Sequence, residues 1–409
     1  MRISSSQLQN AGIAQMQRIT QDLADSQEQI ASGQRITRPS DDPVGAAKII
    51  ALRKDIDLRE TFIRNADAAQ TSLAFEENTL TRVTDVMQRI QELTLQAGGA
   101  INSKADRQFI AAEISARLEE LNGLLNTRDG NGRYIFSGNK GDTMPFRMDG
   151  DIVEYHGDDG QRRLQVDNQL YVPATDSGQA LFMNIPSVAP TFKVAAYANN
   201  GGDAGIHGVG VVDADALAEF VPDDLVIEFR PLEEAGGLTN FTVRRASDQR
   251  VVDGLQNVVY QPGSTVDIVG MRIKLDGFPA EGDRFAVTTT ATQGLLETVA
   301  RLATGLKQID AAAQPEAFRN LIDGSLGNLS NISTVVLSAQ ADIGARMNTL
   351  TSMQTFHEER NLATNGLLSD VRDLDYAEAV SRLTFQSFVL EAAQQSFVRV
   401  SRLSLFNAL

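Results

Sequence analysis

The sequence predicts an α+β protein of several domains: a long antiparallel helical bundle or coiled coil built by the two ends of the chain, with an inserted, mostly antiparallel β domain. Three observations predict it. Apolar residues recur at helical spacing up to about residue 135 and again from about residue 291. The stretch between them changes to short β-rich runs punctuated by Gly, Pro, Asn and Asp. Both helical stripes are too narrow to bury themselves, so the economical solution is that the early and late helices pack on each other. The 409-residue length is also too great for one simple core.

In chain order, Met16, Ile19, Leu23 and Ile30 draw a narrow stripe on a first helix, which Ser32-Gly33 stops. Asp42-Pro43 starts a second helix: the Asp42 carboxylate suits an N-cap and Pro43 suits the first helical position, where no N–H is needed. Ile49, Leu52, Ile56 and Ile63 follow, and Leu73, Leu80, Val83, Met87, Ile90, Thr94 and Ala97 keep near-heptad spacing until Gly98-Gly99. A third helix carries Ile110, Ile114, Leu118, Leu121 and Leu125.

The middle zone reads as strands at 151–155, 225–229, 241–244, 266–269, 271–275 and 285–288. A division in two is expected near Asn199-Asn200-Gly201-Gly202, which reads as a surface loop. Such a loop could cradle phosphate, but there is no P-loop sequence, and Asp203, Asp213 and Asp215 would repel an anion. The helical period returns with Leu295, Leu296, Val299, Leu302, Leu306 and Ile309. A second long stripe runs through Val336, Ile343, Leu350, His357, Thr364 and Val371, with Ala339, Arg346, Met353, Arg360, Leu367 and Leu374 as partners. His357 has two readings there, a pH switch or a polar register-setter. Arg346 and Arg360 either reach carboxylates such as Glu358 or Glu359 or mark a face turned to another subunit.

The last helix, about 377–405, is apolar on several sides: Leu383, Leu390 and Phe397 form one line, while Phe385, Phe388 and Val389 lie off it. Burying each such side chain is worth roughly 1.5–3 kcal/mol, whereas ordering each backbone residue costs roughly 1–2 kcal/mol. One weakly amphipathic partner is too little. Residues 1 to about 35 and about 375–409 are therefore expected to order fully only when copies pack side by side. The expected assembly interface comprises Ile3, Leu8, Met16, Ile19, Leu23, Ile30, Leu383, Phe385, Phe388, Val389, Leu390, Phe397, Val400, Leu403, Leu405 and Phe406.

Composition excludes several classes. Thirty-seven basic against 53 acidic residues give a net charge of −16, which repels nucleic acid and anionic lipid. No apolar run approaches the roughly 20 residues needed to span a bilayer, so membrane insertion is not expected. With Cys 0 there are no disulfides or thiolate sites, and the three histidines, His156, His207 and His357, form no metal motif. The N-terminus lacks the apolar run of a Sec-type signal peptide, so the chain either stays in the cytoplasm or leaves by another route. Asp41-Asp42 reads as a capping turn, and Asp149-Gly150-Asp151 and Gly157-Asp158-Asp159-Gly160 read as turns between strands. No cofactor, metal or catalytic residue is expected, and the chain is not expected to be an enzyme. A ligand-binding module without a motif, for glycans or host components, stays open in the β zone.

Four stretches resemble the bacterial flagellin superfamily and its junction proteins. They are Met1-Arg2-Ile3-Ser4 with Ile30-Ala31-Ser32-Gly33-Gln34-Arg35-Ile36 and Pro39-Ser40-Asp41-Asp42-Pro43; Gly132-Arg133-Tyr134-Ile135-Phe136-Ser137-Gly138 with Pro145-Phe146 and Tyr155-His156-Gly157-Asp158; Gly277 to Phe285; and Leu368 to Ala377 with the ending Leu403 to Leu409. The resemblance implies a structural subunit of the flagellum at the hook–filament junction, with the filament subunit itself as the alternative. It implies export unfolded through the flagellar type III apparatus to an extracellular position. The implied partners are sister copies in a ring, the first hook-associated protein, flagellin, and an export chaperone on the C-terminal helix. It further implies an inner domain (1–40 and 370–409), a rod-like middle domain (41–136 and 291–369) and an outer β domain (137–290).

Overall fold

A computed structural model describes residues 5–99, 103–149 and 152–406. The chain forms two compact units, Met1–Asn65 with Ser352–Leu409 and Ala66–Thr351.

In the first unit, α1 (Ser5–Ser32) and α8 (Tyr376–Phe406) lie side by side and antiparallel. Tyr376 meets Gly33, Gln386 accepts a hydrogen bond from Ser26 Oγ at 2.8 Å, and Phe397 meets Gly12. The covered positions on α1 include Gly12, Met16, Ile19, Leu23, Ser26 and Ile30, and on α8 Ala379, Leu383, Gln386, Leu390, Ala393 and Phe397. Both sets alternate in steps of three and four, the signature of a coiled-coil seam. Beside it, Ile36, Ile49 and Ile56 close on Leu368, joining the start of α2 (Pro43–Ala97) to the end of α7 (Pro315–Arg372). Arg59 Nη1 donates to Thr364 Oγ1 at 2.9 Å, and the Phe62 and His357 rings stand 5.4 Å apart.

The second unit holds the rest of α2 and α7, α3 (Lys104–Leu125) packed on α6 (Leu295–Gln308), and the strands. Leu73, Leu80, Val83, Met87, Ile90, Thr94 and Ala97 of α2 are all buried, as are Val336, Ile343 and Leu350 of α7. Two small hairpins come first in the β zone, β1 (Phe146–Asp149) with β2 (Ile152–Tyr155) and β3 (Arg163–Gln165) with β4 (Tyr171–Pro173). After the short α4 (Gly178–Phe182) come β5 (Ile185–Ala196), β6 (Gly205–Val211), α5 (Ala214–Phe220), β7 (Leu225–Arg230), β8 (Asn240–Arg245), β9 (Val258–Val259), β10 (Thr265–Ile268), β11 (Met271–Asp276) and β12 (Arg284–Gln293). They build a five-stranded sheet ordered β5-β12-β7-β8-β9 and a three-stranded sheet ordered β10-β11-β6, every pair antiparallel.

Several expectations need correction. The strand reading omits the short β1, β3, β4 and β9 and the longer β5 and β6. β5 carries Pro186 and Pro190, which withhold ladder donors and are tolerated because β5 is an edge strand. β6 carries three glycines, which lower its apparent strand character. No division falls at Asn199–Gly202, because one core contains Phe192 before that loop and Ile206, Ile227, Phe241 and Ile273 after it. On α7, Arg360 and Leu367 do not continue the seam: both are exposed and Leu368 is buried instead, since a 3.6-residue helix drifts off a strict heptad. His357 is buried between Phe62 and Phe356. Arg346 does reach a carboxylate, that of Asp176, while Arg360 lies over the Phe356 ring.

Candidate functional site

On α8 the coiled-coil seam uses one stripe and leaves another in the open. Phe385 and Phe388 are each 67% exposed, with Val380, Val398 and Tyr376 also exposed along the helix. Phe388 lies two residues from Leu390 and five from Leu383, which at 100° per residue sets it on the side away from α1. Of the interface residues expected from sequence, Ile19 is buried in the seam, while Met16, Leu23, Ile30, Leu383, Val389, Leu390 and Phe397 are half-buried. Ile3 and the side chains of Leu8, Val400, Leu403, Leu405 and Phe406 lie outside the described residues. These residues thus fall into two groups: a line at the α1–α8 seam, and a pair of phenylalanines left mostly exposed.

The chain reversals that bring these helices together are built from the terminal motifs. Gly33 ends α1 with φ +69°, and a Cβ there would stand 2.9 Å from Tyr376 Oη. Just beyond, Arg35 N–H donates to Arg372 O at 2.7 Å and Leu374 N–H donates to Gly33 O at 3.0 Å, a two-bond clamp between the two motif blocks. Asp41 Oδ2 accepts from the N–H groups of Arg38 and Thr37, and the Arg38 bond holds that carboxyl below its usual range. Asp42 Oδ1 accepts from Gly45 N–H at 2.9 Å, the N3 donor of α2. Gly45 is buried so tightly that a Cβ would stand 2.5 Å from both Asp42 Oδ2 and Ile36 Cδ1. These two carboxylates are thus occupied in folding the turn.

In the second unit, the Arg133–Gly138 motif folds into an aromatic knot. Phe136 and Phe146 both pack edge-on against Phe182, with centroids 5.1 and 6.1 Å away. Tyr155 Oη donates towards Phe136 O and Asp158 O, each at 2.9 Å. Asp158 Oδ1 accepts from Asn139 and Gly160 N–H groups, of which the Asn139 bond does most to keep its carboxyl below the ordinary range. Gly138 has φ +69°, and a Cβ on it would collide with Asp158 at 2.2 Å.

The glycine-rich loop has its own anion. The Asp283 carboxylate, only 2% exposed, accepts from Gly201 N–H at 2.7 Å, Gly202 N–H at 3.1 Å and Ala280 N–H at 2.8 Å. Asp203 likewise accepts from Phe278 N–H at 2.6 Å. The donors a phosphate would need are committed to carboxylates of the same chain, so the loop is a structural joint rather than a phosphate cradle. Sequence spacing did not reveal this, because Asp283 lies about 80 residues from the glycines it binds.

Antiparallel terminal helices with an inserted antiparallel β domain make a flagellin-like fold. Comparison with known proteins agrees: the family described as the bacterial flagellin N-terminal helical region matches residues 3–141. The chain is similar to flagellar hook-associated protein 3. It is 24% identical to that protein of Escherichia coli K12 over 93% of this chain and 90% of the other. The crystal structure of hook-associated protein 3 from Legionella pneumophila superposes with a TM-score of 0.53 at 28% identity, covering 79% of this chain and 98% of that one. Polar flagellin F of Vibrio parahaemolyticus is 23% identical over 91% of this chain and 89% of its own. No described helix is long and apolar enough to cross a membrane.

Proposed function

We propose that this chain is a structural subunit of the bacterial flagellum that forms the junction between hook and filament. The observation that carries the reading is the α8 face of Phe385 and Phe388, left bare by α1, on a chain alike over nearly its full length to hook-associated protein 3. An apolar helix face of this kind needs a partner when the protein works. In this reading copies stack side by side as a ring, and the interface residues from both ends, with Ile3, Leu8 and Val400 to Phe406, complete their burial there. The ring receives the first hook-associated protein on one side and flagellin on the other. The chain leaves the cell unfolded through the flagellar type III apparatus, with a chaperone covering α8 beforehand. Residues 1–40 and 370–409 form the inner domain, 41–136 and 291–369 the rod, and 137–290 the outer domain. The protein performs no catalysis.

Electron microscopy of a strain lacking this chain tests the reading. Hooks without filaments, with flagellin shed into the medium, are expected; normal filaments on that strain would overturn it.

A further inference from the structure

Glu76 stands in the middle of α2 with no exposed surface. Its Oε1 accepts a hydrogen bond from Asp176 N–H at 3.2 Å, while the equally buried Oε2 has no hydrogen-bond partner among the described residues. Asp176, in the loop entering α4, is itself buried. Its carboxylate receives Arg346 Nη1 from α7 at 3.0 Å to each oxygen and Gln161 Nε2 at 2.6 Å. The other cation near Glu76 is Arg162, which lies 3.8 Å from Asp129. A cavity of about 530 Å³ opens beside the Asp176–Arg346 pair and is lined by Asp159, Arg163 and Asp342 among others.

Three elements distant in sequence thus converge on two carboxyl groups and one shared arginine. Arg346 is already engaged by Asp176, so a charge on Glu76 would be desolvated and would face a second anion across one backbone N–H. A proton on Glu76 removes that conflict. We propose that this cluster is a proton-operated clasp, which holds the segment 161–178 against α2 and α7 while Glu76 is protonated and loosens when Glu76 ionises. The clasp is a property of the folded chain and does not depend on the flagellar assignment.

The direction follows from linkage. Burial, reinforced by the charge of Asp176, pushes the Glu76 carboxyl from its ordinary 4.5 up to about 8, against the hydrogen bond from Asp176 N–H and the pull of Arg346 and Arg162. The closed clasp therefore keeps a proton that the open state releases. Between the two values, opening becomes easier with rising pH by up to tenfold per unit, and above about 8 it levels off.

Hydrogen exchange of the full chain at pH 6 to 9.5, comparing the native protein with Glu76→Gln, isolates the effect, since the intrinsic pH dependence of exchange is common to both. Expected is a native-to-variant ratio of opening constants in 161–178 that climbs between pH 6 and 8 and then flattens. A constant ratio across that range would overturn the clasp. In Asp176→Asn, with the neighbouring anion removed and Arg346 freed for Glu76, the flattening should move below pH 8; an unchanged position would overturn the coupling between the two carboxyl groups.

Discussion

Single carboxylates decide the local geometry at three places, and each does so by satisfying backbone donors that no secondary structure could reach. Asp42 caps α2, Asp158 closes the turn beside Gly138, and Asp283 gathers the glycine loop. The first was legible in the sequence because an N-cap partner lies three residues away. The last was not, because two of its three donors, Gly201 and Gly202 N–H, come from a strand connection far upstream. At this scale Asp42→Ala should lower the stability of the first unit by about 1 kcal/mol, with Asp42→Asn retaining most of it, as read from urea unfolding followed by circular dichroism. Equal loss in both variants would show that the cap bond is not what stabilises the turn. Arg346 illustrates the opposite limit: its position in an apolar stripe was plain, yet its partner Asp176 is 170 residues away in sequence.

Among the elements, α8 combines two apolar surfaces with different duties. Periodicity alone found both, since Leu383, Leu390 and Phe397 recur every seven residues and Phe385 and Phe388 do not fit that line. What periodicity could not say is which line α1 covers. The double variant Phe385→Ser with Phe388→Ser removes mostly exposed apolar surface, so helicity should be kept and the unfolding free energy of the isolated chain should change by less than about 0.5 kcal/mol per site. The same variant should fail to restore swimming to a strain lacking the chain. Full motility with this variant would remove the bare α8 face from the assembly surface. β5 gives the complementary lesson: its two prolines hide a twelve-residue strand from propensity, and only its place at the sheet edge makes them tolerable.

For the whole molecule, α1 and α8 bring the N- and C-terminal helices together, and every strand pair among the described residues is antiparallel. A junction subunit and a filament subunit share that plan and differ in what they do with identical copies. Purified protein at high salt is expected to form no long filaments, as judged by electron microscopy, because an adaptor meets unlike neighbours on its two sides. Long self-grown filaments would instead support the filament-subunit reading.

The order of the long helices, their stops at Ser32-Gly33 and Gly98-Gly99, the restart at Asp42-Pro43 and the change of period in the middle were determined by sequence alone, because each depends on residues within one or two turns of each other, whereas the short α4 and α5 were not. Tertiary structure decided which faces are covered, where Arg346 and Asp283 find their partners, and that a buried Glu76 shares its surroundings with a second acid. Those outcomes arise from groups 80 to 170 residues apart meeting in space, and burial of that kind has no local signature.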